Sequence, residues 1–305
     1  MHLHPSPLVN KSVSCWLNVI IQSLGSCSQF CDAVKEGMSA NINNSVFTAF
    51  GDYIITNLRG FDTRESSTVI LNALNKLTRE TGRNAKLTQQ QQCALEFLEL
   101  IISSLKDINI FRLFRTYYIR GTACPECGHV SQAKDAVSHI DIFKNSVTPN
   151  YHDPNVFKDQ PKLLLDYLGH RETLSSWECP ECMMETKDVT SVVRLIHPAK
   201  IIVFVFDKAI DNSSVILPPS ISMKRRDTPS DRQSNPQGDM ITYRPVSIIQ
   251  HYGTSDSGHY IANCLRKSSD GSLRWYRCND DLINEMAIDP LTGANVFMAF
   301  YAIDE

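Results

Sequence analysis

An α+β fold is predicted, because helix-period and strand-period segments are segregated along the chain rather than alternating. Up to residue 105 apolar side chains recur at helical spacing, and beyond about residue 109 the pattern turns to short β-branched and aromatic runs. The chain has 305 residues, 42% of them hydrophobic, enough for one large domain or two lobes with a real core.

The helical segments are read at 15–24, 46–58, 67–81 and 91–105, separated by polar stretches such as 40–45. In the first, Trp16, Leu17, Ile20, Ile21 and Leu24 share one stripe. Strands are expected at 110–120 (IFRLFRTYYIR), 192–207 with an interruption at Pro198, 243–250, 259–266, 273–277 and 295–303. Residues 224–238 are polar and rich in Pro and Ser, and read as a solvated surface loop.

Composition excludes several classes. The net charge is only -3 with 21% charged residues, so no electrostatic footprint for nucleic acid is expected. The first ten residues, MHLHPSPLVN, lack the basic start and apolar core of a secretory leader. The longest apolar runs, such as 201–206, are too short to span a bilayer. A soluble cytoplasmic or nuclear protein in a reducing compartment, with no membrane partner, is expected.

Four of the 10 cysteines form two copies of one motif, Cys124-Pro-Glu-Cys127 and Cys179-Pro-Glu-Cys182. Two such knuckles supply the four thiolates that tetrahedral zinc prefers, and leave no open position, so the role is structural. Glu126, Glu178, Glu181 and Glu185 surround them. That acidic setting argues against a zinc ribbon that reads nucleic acid.

A short polar segment ends at Ser14 and the first helix follows, which puts Cys15 at a helix N-terminus. Exposed N–H groups and the macrodipole there favour a thiolate. A buried structural cysteine is the competing reading. His259 follows Ser257 and Gly258 at the start of an apolar strand. Downstream, a strand ends near Asn279, Asp280 and Asp281, where a carboxamide or carboxylate can accept the imidazole N–H and select its tautomer. A plain turn gives the same local pattern.

Order and context make the combination specific. Asn10, Cys15, Asn18 and Gln22 match the opening box of the ubiquitin-specific protease family. His251, Gly253, Gly258, His259 and Tyr260 match its second box, and Trp275 through Asp280 its third. The ending NVFMAFYAI is similar to its last strand. The chain resembles this family over nearly its whole length. Ser12, Ser14 and Trp16 stand where the family has Gly, Thr and Tyr.

The resemblance implies a single catalytic domain over 1–305, a papain-like cysteine protease fold. Its subregions would be a helical thumb over 1–108, zinc-binding β fingers with part of the palm over 109–205, and β palm over 206–305. It implies a thiol isopeptidase that cuts after the C-terminal glycine of ubiquitin, with no cofactor for catalysis. Cys15 would be the nucleophile, His259 the base and then acid, and Asn279 its orienter. Asp280 would assist, and Asn10 would donate to the oxyanion. In the run QQQQCALEFL, Gln92 and Glu96 would meet the modifier tail, but Cys93 replaces an acid of the family pattern. Tyr252 to Ser257 would form the mobile loop over that tail, with Tyr252 and Gly258 among the residues that bind it. The strand residues Val205 to Lys208 depart from the family's L-K-R-F. The implied partners are ubiquitin or a ubiquitin-like modifier and its conjugates. A protease for SUMO or another such modifier, and a catalytically weak modifier-binding scaffold, are the alternatives.

Overall fold

The computed structural model describes residues 4–11, 14–80, 92–142, 171–206, 215–224, 240–254, 257–268 and 270–304. Helices come first among them: α1 Cys15–Leu24, α2 Ser28–Gly37, α3 Ser45–Leu58, α4 Ser66–Glu80, α5 Ala94–Leu105 and α6 Ile108–Leu113. All ten residues of α1 are buried. A helix enclosed on every side sits at the centre of a structure, and its residues cannot move without disturbing several neighbours. The ring of Trp16 meets the edge of Phe97 at 4.5 Å and joins α1 to α5. The far end of α1 is closed by Arg266, buried at 2% exposure, whose Nη2 donates to the Gln22 carbonyl at 2.7 Å. A cation on the last carbonyls complements the helix dipole.

Three helices differ from expectation. The aromatic run at 110–120 is not one strand, because Asp107 caps a short helix by accepting the N–H groups of Asn109 and Ile110 at 2.8 and 3.2 Å. Ile110 and Leu113 are then buried on one face of α6, and the strand begins only at Thr116. The helix expected over 91–105 begins at Ala94, because Cys93 holds the extended backbone of an N-cap (ψ 125°). Helix α2 has a legible stripe in Phe30, Cys31 and Val34, all buried, although no helix was expected there.

The strands are β1 Thr116–Ala123, β2 Val130–Val137, β3 Ile140–Ile142, β4 Arg171–Glu178, β5 Glu185–His197, β6 Ile201–Phe206, β7 Val215–Ile216, β8 Ile221–Lys224, β9 Met240–Gly253, β10 Gly258–Lys267, β11 Leu273–Asn279, β12 Leu282–Glu285, β13 Thr292–Gly293 and β14 Val296–Ile303. One sheet has four antiparallel strands in the order β2-β1-β5-β4. The larger has eight, in the order β12-β11-β10-β9-β14-β6-β3 with β8 beside β9. Strands β7 and β13 pair separately.

The larger sheet has a core on each face. Along β6, Ile201, Val203 and Val205 join the cluster formed with the helices, while Ile202, Phe204 and Phe206 join the cluster on the other side. A strand covered on both faces reads as a continuous apolar run, which is why 201–206 shows no alternation. Most of the expected loop at 224–238, and the expected departure at 207–208, lie outside the described residues. No described helix is long and apolar enough to cross a membrane.

Candidate active site and metal centre

Helix α1 packs against β9, β10 and β11. This places its first residue, Cys15, beside the start of β10. The thiol is 4% exposed, and its sulfur accepts the backbone N–H of Tyr260, the residue after His259. Residue 15 and a residue 245 positions later are thereby brought into contact (260 − 15).

The electrostatics of this thiol differ from the expectation of a helix-end thiolate. Burial pushes the Cys15 thiol above its ordinary value. The N–H of Tyr260 pulls it down, the charge of Asp280 raises it again, and the N–H groups of Trp16 and of Cys15 itself lower it. Desolvation outweighs the helix terminus because α1 is enclosed by protein rather than open to water.

His259 is half-buried, and its Nε2 lies 2.6 Å from Oδ1 of Asn279, the last residue of β11. Because a carboxamide oxygen only accepts, Nε2 carries the proton and Nδ1 is left to accept one. Asp280 lies one residue further on, with Oδ2 3.9 Å from the same nitrogen. Its backbone takes the left-handed region (φ 53°), an uncommon conformation for a side-chain-bearing residue.

That turn aims the Asp280 carboxylate at two amides. Asn10 Nδ2 donates to Oδ2 and Asn18 Nδ2 to Oδ1, each at 2.8 Å. The Asp280 carbonyl also accepts the N–H of Leu8 at 3.0 Å. Asn10 is held from its other end, since its Oδ1 accepts both the N–H (2.9 Å) and the hydroxyl (3.1 Å) of Ser14. Asp280 is therefore a knot between the chain start, α1 and the end of β11. Asn18 had no assigned role in the sequence, although it lies one helical turn after Cys15.

Gln92 precedes α5 and is half-buried, while Glu96 is exposed in its first turn. They do not lie one turn apart on a helix, because the helix begins only at Ala94. The same turn packs on the phenol of Tyr260, which accepts the N–H of Ala94. Tyr252 pairs with His259 across β9 and β10, and Gly253 with Gly258. Thr254 N–H donates to the Ser257 carbonyl at 2.7 Å, and residues 255–256 of the expected loop lie outside the described residues.

The second centre lies at one end of the four-stranded sheet. The sulfurs of Cys124, Cys127, Cys179 and Cys182 all lie within 4.8 Å of one another. Cys124 and Cys182 are 3.8 Å apart, and Cys127 and Cys179 3.7 Å. Sulfurs at about 2.3 Å from a shared zinc span tetrahedral edges of about 3.8 Å, so the four thiols fit that ion. Each knuckle is a tight turn: Gly128 N–H donates to the Cys124 carbonyl at 3.0 Å and Met183 N–H to the Cys179 carbonyl at 2.9 Å. Gly128 and Met183 both have positive φ, 73° and 58°.

Comparison with known proteins gives a consistent picture. A family model described as ubiquitin carboxyl-terminal hydrolase matches residues 7–301. The chain is 22% identical over 355 aligned positions to ubiquitin carboxyl-terminal hydrolase 8 of Saccharomyces cerevisiae, covering 98% of this chain and 70% of that protein. It is 32% identical over 73 residues to ubiquitin C-terminal hydrolase 22 of Arabidopsis thaliana, 24% of this chain and 12% of that one. Among solved structures, the SAGA Ubp8/Sgf11/Sus1/Sgf73 DUB module bound to ubiquitin aldehyde aligns with a TM-score of 0.72 at 18% identity, over 99% of this chain and 70% of that one. A further SAGA DUB module, bound to monoubiquitin, aligns at 0.70 and 18%, over 99% of this chain and 69% of that one.

Proposed function

The chain belongs to the ubiquitin carboxyl-terminal hydrolase family, and from that premise we propose that its deubiquitinating activity is carried by Cys15, His259 and Asn279. The enzyme is a cysteine-type deubiquitinase with the papain-like α+β fold of the ubiquitin-specific proteases. The observation that carries the assignment is the paired contact at the start of β10. Tyr260 N–H reaches the Cys15 sulfur, and the adjacent His259 is held by Asn279.

In the proposed reaction, Nδ1 of His259 takes the Cys15 proton and the thiolate attacks the carbonyl carbon of the modifier's C-terminal glycine. The C–N bond breaks, and the proton passes from His259 to the departing lysine amine. Water then attacks the thioester, with His259 as base. The modifier leaves with a free carboxylate and the thiol is restored. Asn10 is held beside Cys15 by Ser14 and Asp280, and its amide donates to the oxyanion in this scheme.

We assign the helical thumb to 1–108, the fingers and part of the palm to 109–205, and the palm to 206–305. In this reading Gln92, Glu96, Tyr252 and Gly258 line the path of the modifier tail. The four thiolates of Cys124, Cys127, Cys179 and Cys182 hold a structural zinc, which ties β1–β2 to β4–β5 and takes no part in bond cleavage. None of the ten cysteines is paired in a disulfide, which is consistent with the reducing setting, cytoplasmic or nuclear, of this reading.

A mechanism-based probe carrying a ubiquitin C-terminus tests the core assignment. It labels Cys15 in the wild type and fails to label Cys15→Ala. Cys15→Ala abolishes cleavage while ubiquitin binding persists, and His259→Ala likewise stops turnover. Turnover retained by either variant refutes the residue roles. A parallel panel of ubiquitin, SUMO and related probes tests modifier choice, with ubiquitin expected to react fastest.

A further inference from the structure

The strand before the catalytic hairpin carries a second buried imidazole. His251 lies on β9, is 8% exposed, and pairs across the sheet with Tyr260. The two rings stand 4.3 Å apart at 45°. Phe297 on β14 flanks Tyr260 at 5.8 Å. The His251 backbone is fixed as well, since its N–H donates to the Asn295 carbonyl at 2.9 Å.

The His251 ring also reaches Gly258, the residue before His259. A Cβ at Gly258 would lie 2.6 Å from Nε2 of His251 and 2.4 Å from the Tyr252 carbonyl oxygen. The imidazole thus fills the space that a side chain at 258 would need. Across the pair, Gly253 has φ 120°, and a Cβ there would lie 2.5 Å from the Ser257 carbonyl oxygen. Two glycines let the strands close to this distance, and one imidazole packs against the closed neck.

We infer that His251 is a positioning residue: its ring seats the segment Gly258–His259–Tyr260, which sets both the imidazole of His259 and the Tyr260 N–H against the Cys15 sulfur. Residues on both sides of His259 touch this one ring. Tyr260 is gripped at three points, with its N–H on Cys15, its ring on His251 and Phe297, and its phenol on the N–H of Ala94. Removing the His251 ring frees Gly258 and tilts Tyr260. The distance from base to nucleophile then changes without any loss of a reacting group. Small displacements of this kind act on the rate of the chemical step more than on binding.

The inference rests on the proposed roles of Cys15 and His259. The test measures steady-state cleavage of a fluorogenic ubiquitin substrate, together with the pH dependence of Cys15 alkylation by iodoacetamide in the free enzyme. His251→Ala is expected to lower kcat about tenfold with KM within about twofold. It is also expected to move the alkylation midpoint to higher pH, because the Tyr260 N–H no longer supports the thiolate. His251→Phe keeps the ring and is expected to restore both values. If His251→Ala does not fold, His251→Gln carries the same expectation as His251→Ala. Wild-type kcat and midpoint in the ring-less variant, or a His251→Phe enzyme as impaired as His251→Ala, overturns the inference. Cleavage retained by Cys15→Ala or His259→Ala would instead mark failure of the underlying reading.

Discussion

The imidazole of His259 and the carboxamide of Asn279 meet Nε2 to Oδ1 at 2.6 Å, at the end of β11 beside the start of β10. This bond holds the ring in the tautomer whose Nδ1 is free to accept a proton. Asn279→Ala removes the acceptor, and the ring can then rotate or change tautomer. A loss in kcat on the order of 100-fold is expected, with KM little changed. Asn279→Asp keeps an acceptor in place and should retain most of the activity. Steady-state kinetics on a ubiquitin substrate separate the two.

Asp280 has opposite effects on assembly and on the Cys15 thiol. Its carboxylate gathers Asn10 and Asn18, so its loss loosens the site. Its charge also raises the Cys15 thiol, so neutralising it favours the thiolate. Asp280→Asn is therefore expected to move the midpoint of Cys15 alkylation to lower pH while lowering turnover. It should also melt earlier, by roughly 1–3 kcal/mol, because one amide donor loses its acceptor. A midpoint that moves up would contradict the electrostatic account.

The neck glycine Gly253 tests backbone strain by itself. With φ 120° and only 2.5 Å between an added Cβ and the Ser257 carbonyl oxygen, the position excludes a side chain. Gly253→Ala is expected to cost on the order of 1–3 kcal/mol if the backbone holds, or to shift the hairpin and impair His259. Denaturant melts read the first outcome, and kcat reads the second.

Cys93 occupies the N-cap of α5 with no side-chain cap hydrogen bond. A carboxylate there can accept the free N–H groups of the first turn and add favourable charge at the helix start. Cys93→Asp is expected to stabilise the protein by about 0.5–2 kcal/mol. It should also raise kcat/KM for ubiquitin if the modifier's tail presents cations to this turn. Thermal melting and kinetics on the same protein check both parts.

Chelation, or Cys124→Ser, is expected to unfold the four-stranded sheet ahead of the eight-stranded one. The four cysteines join the ends of four strands, whereas the larger sheet has an apolar core on each face. Amide hydrogen exchange should show early loss of protection in β1, β2, β4 and β5, with β9, β10 and β14 still protected. Equal loss in both sheets after metal removal counts against a separate structural site.

Much of the architecture was legible because its signals are local. Helix period marked α1, α3, α4 and most of α5, and β-branched runs marked β6, β9, β10, β11 and β14. The misreadings have local causes too. Aromatic content hid the Asp107 cap that starts α6. The segment 91–105 read as one helix, but extended backbone at Cys93 makes it the N-cap and starts α5 at Ala94.

The order of the residue types around Cys15, His259 and Asn279, and the matched cysteine knuckles, were determined by the sequence by itself. Which groups touch was decided by the tertiary structure. Cys15 sits at a helix end as expected, yet burial raises its thiol because α1 is enclosed by the sheet and the other helices. Asp280 gathers Asn10 and Asn18, and His251 underlies Gly258, because segments remote in the chain pack together. Burial and electrostatic neighbours depend on how whole elements pack, and no window of local pattern contains that information.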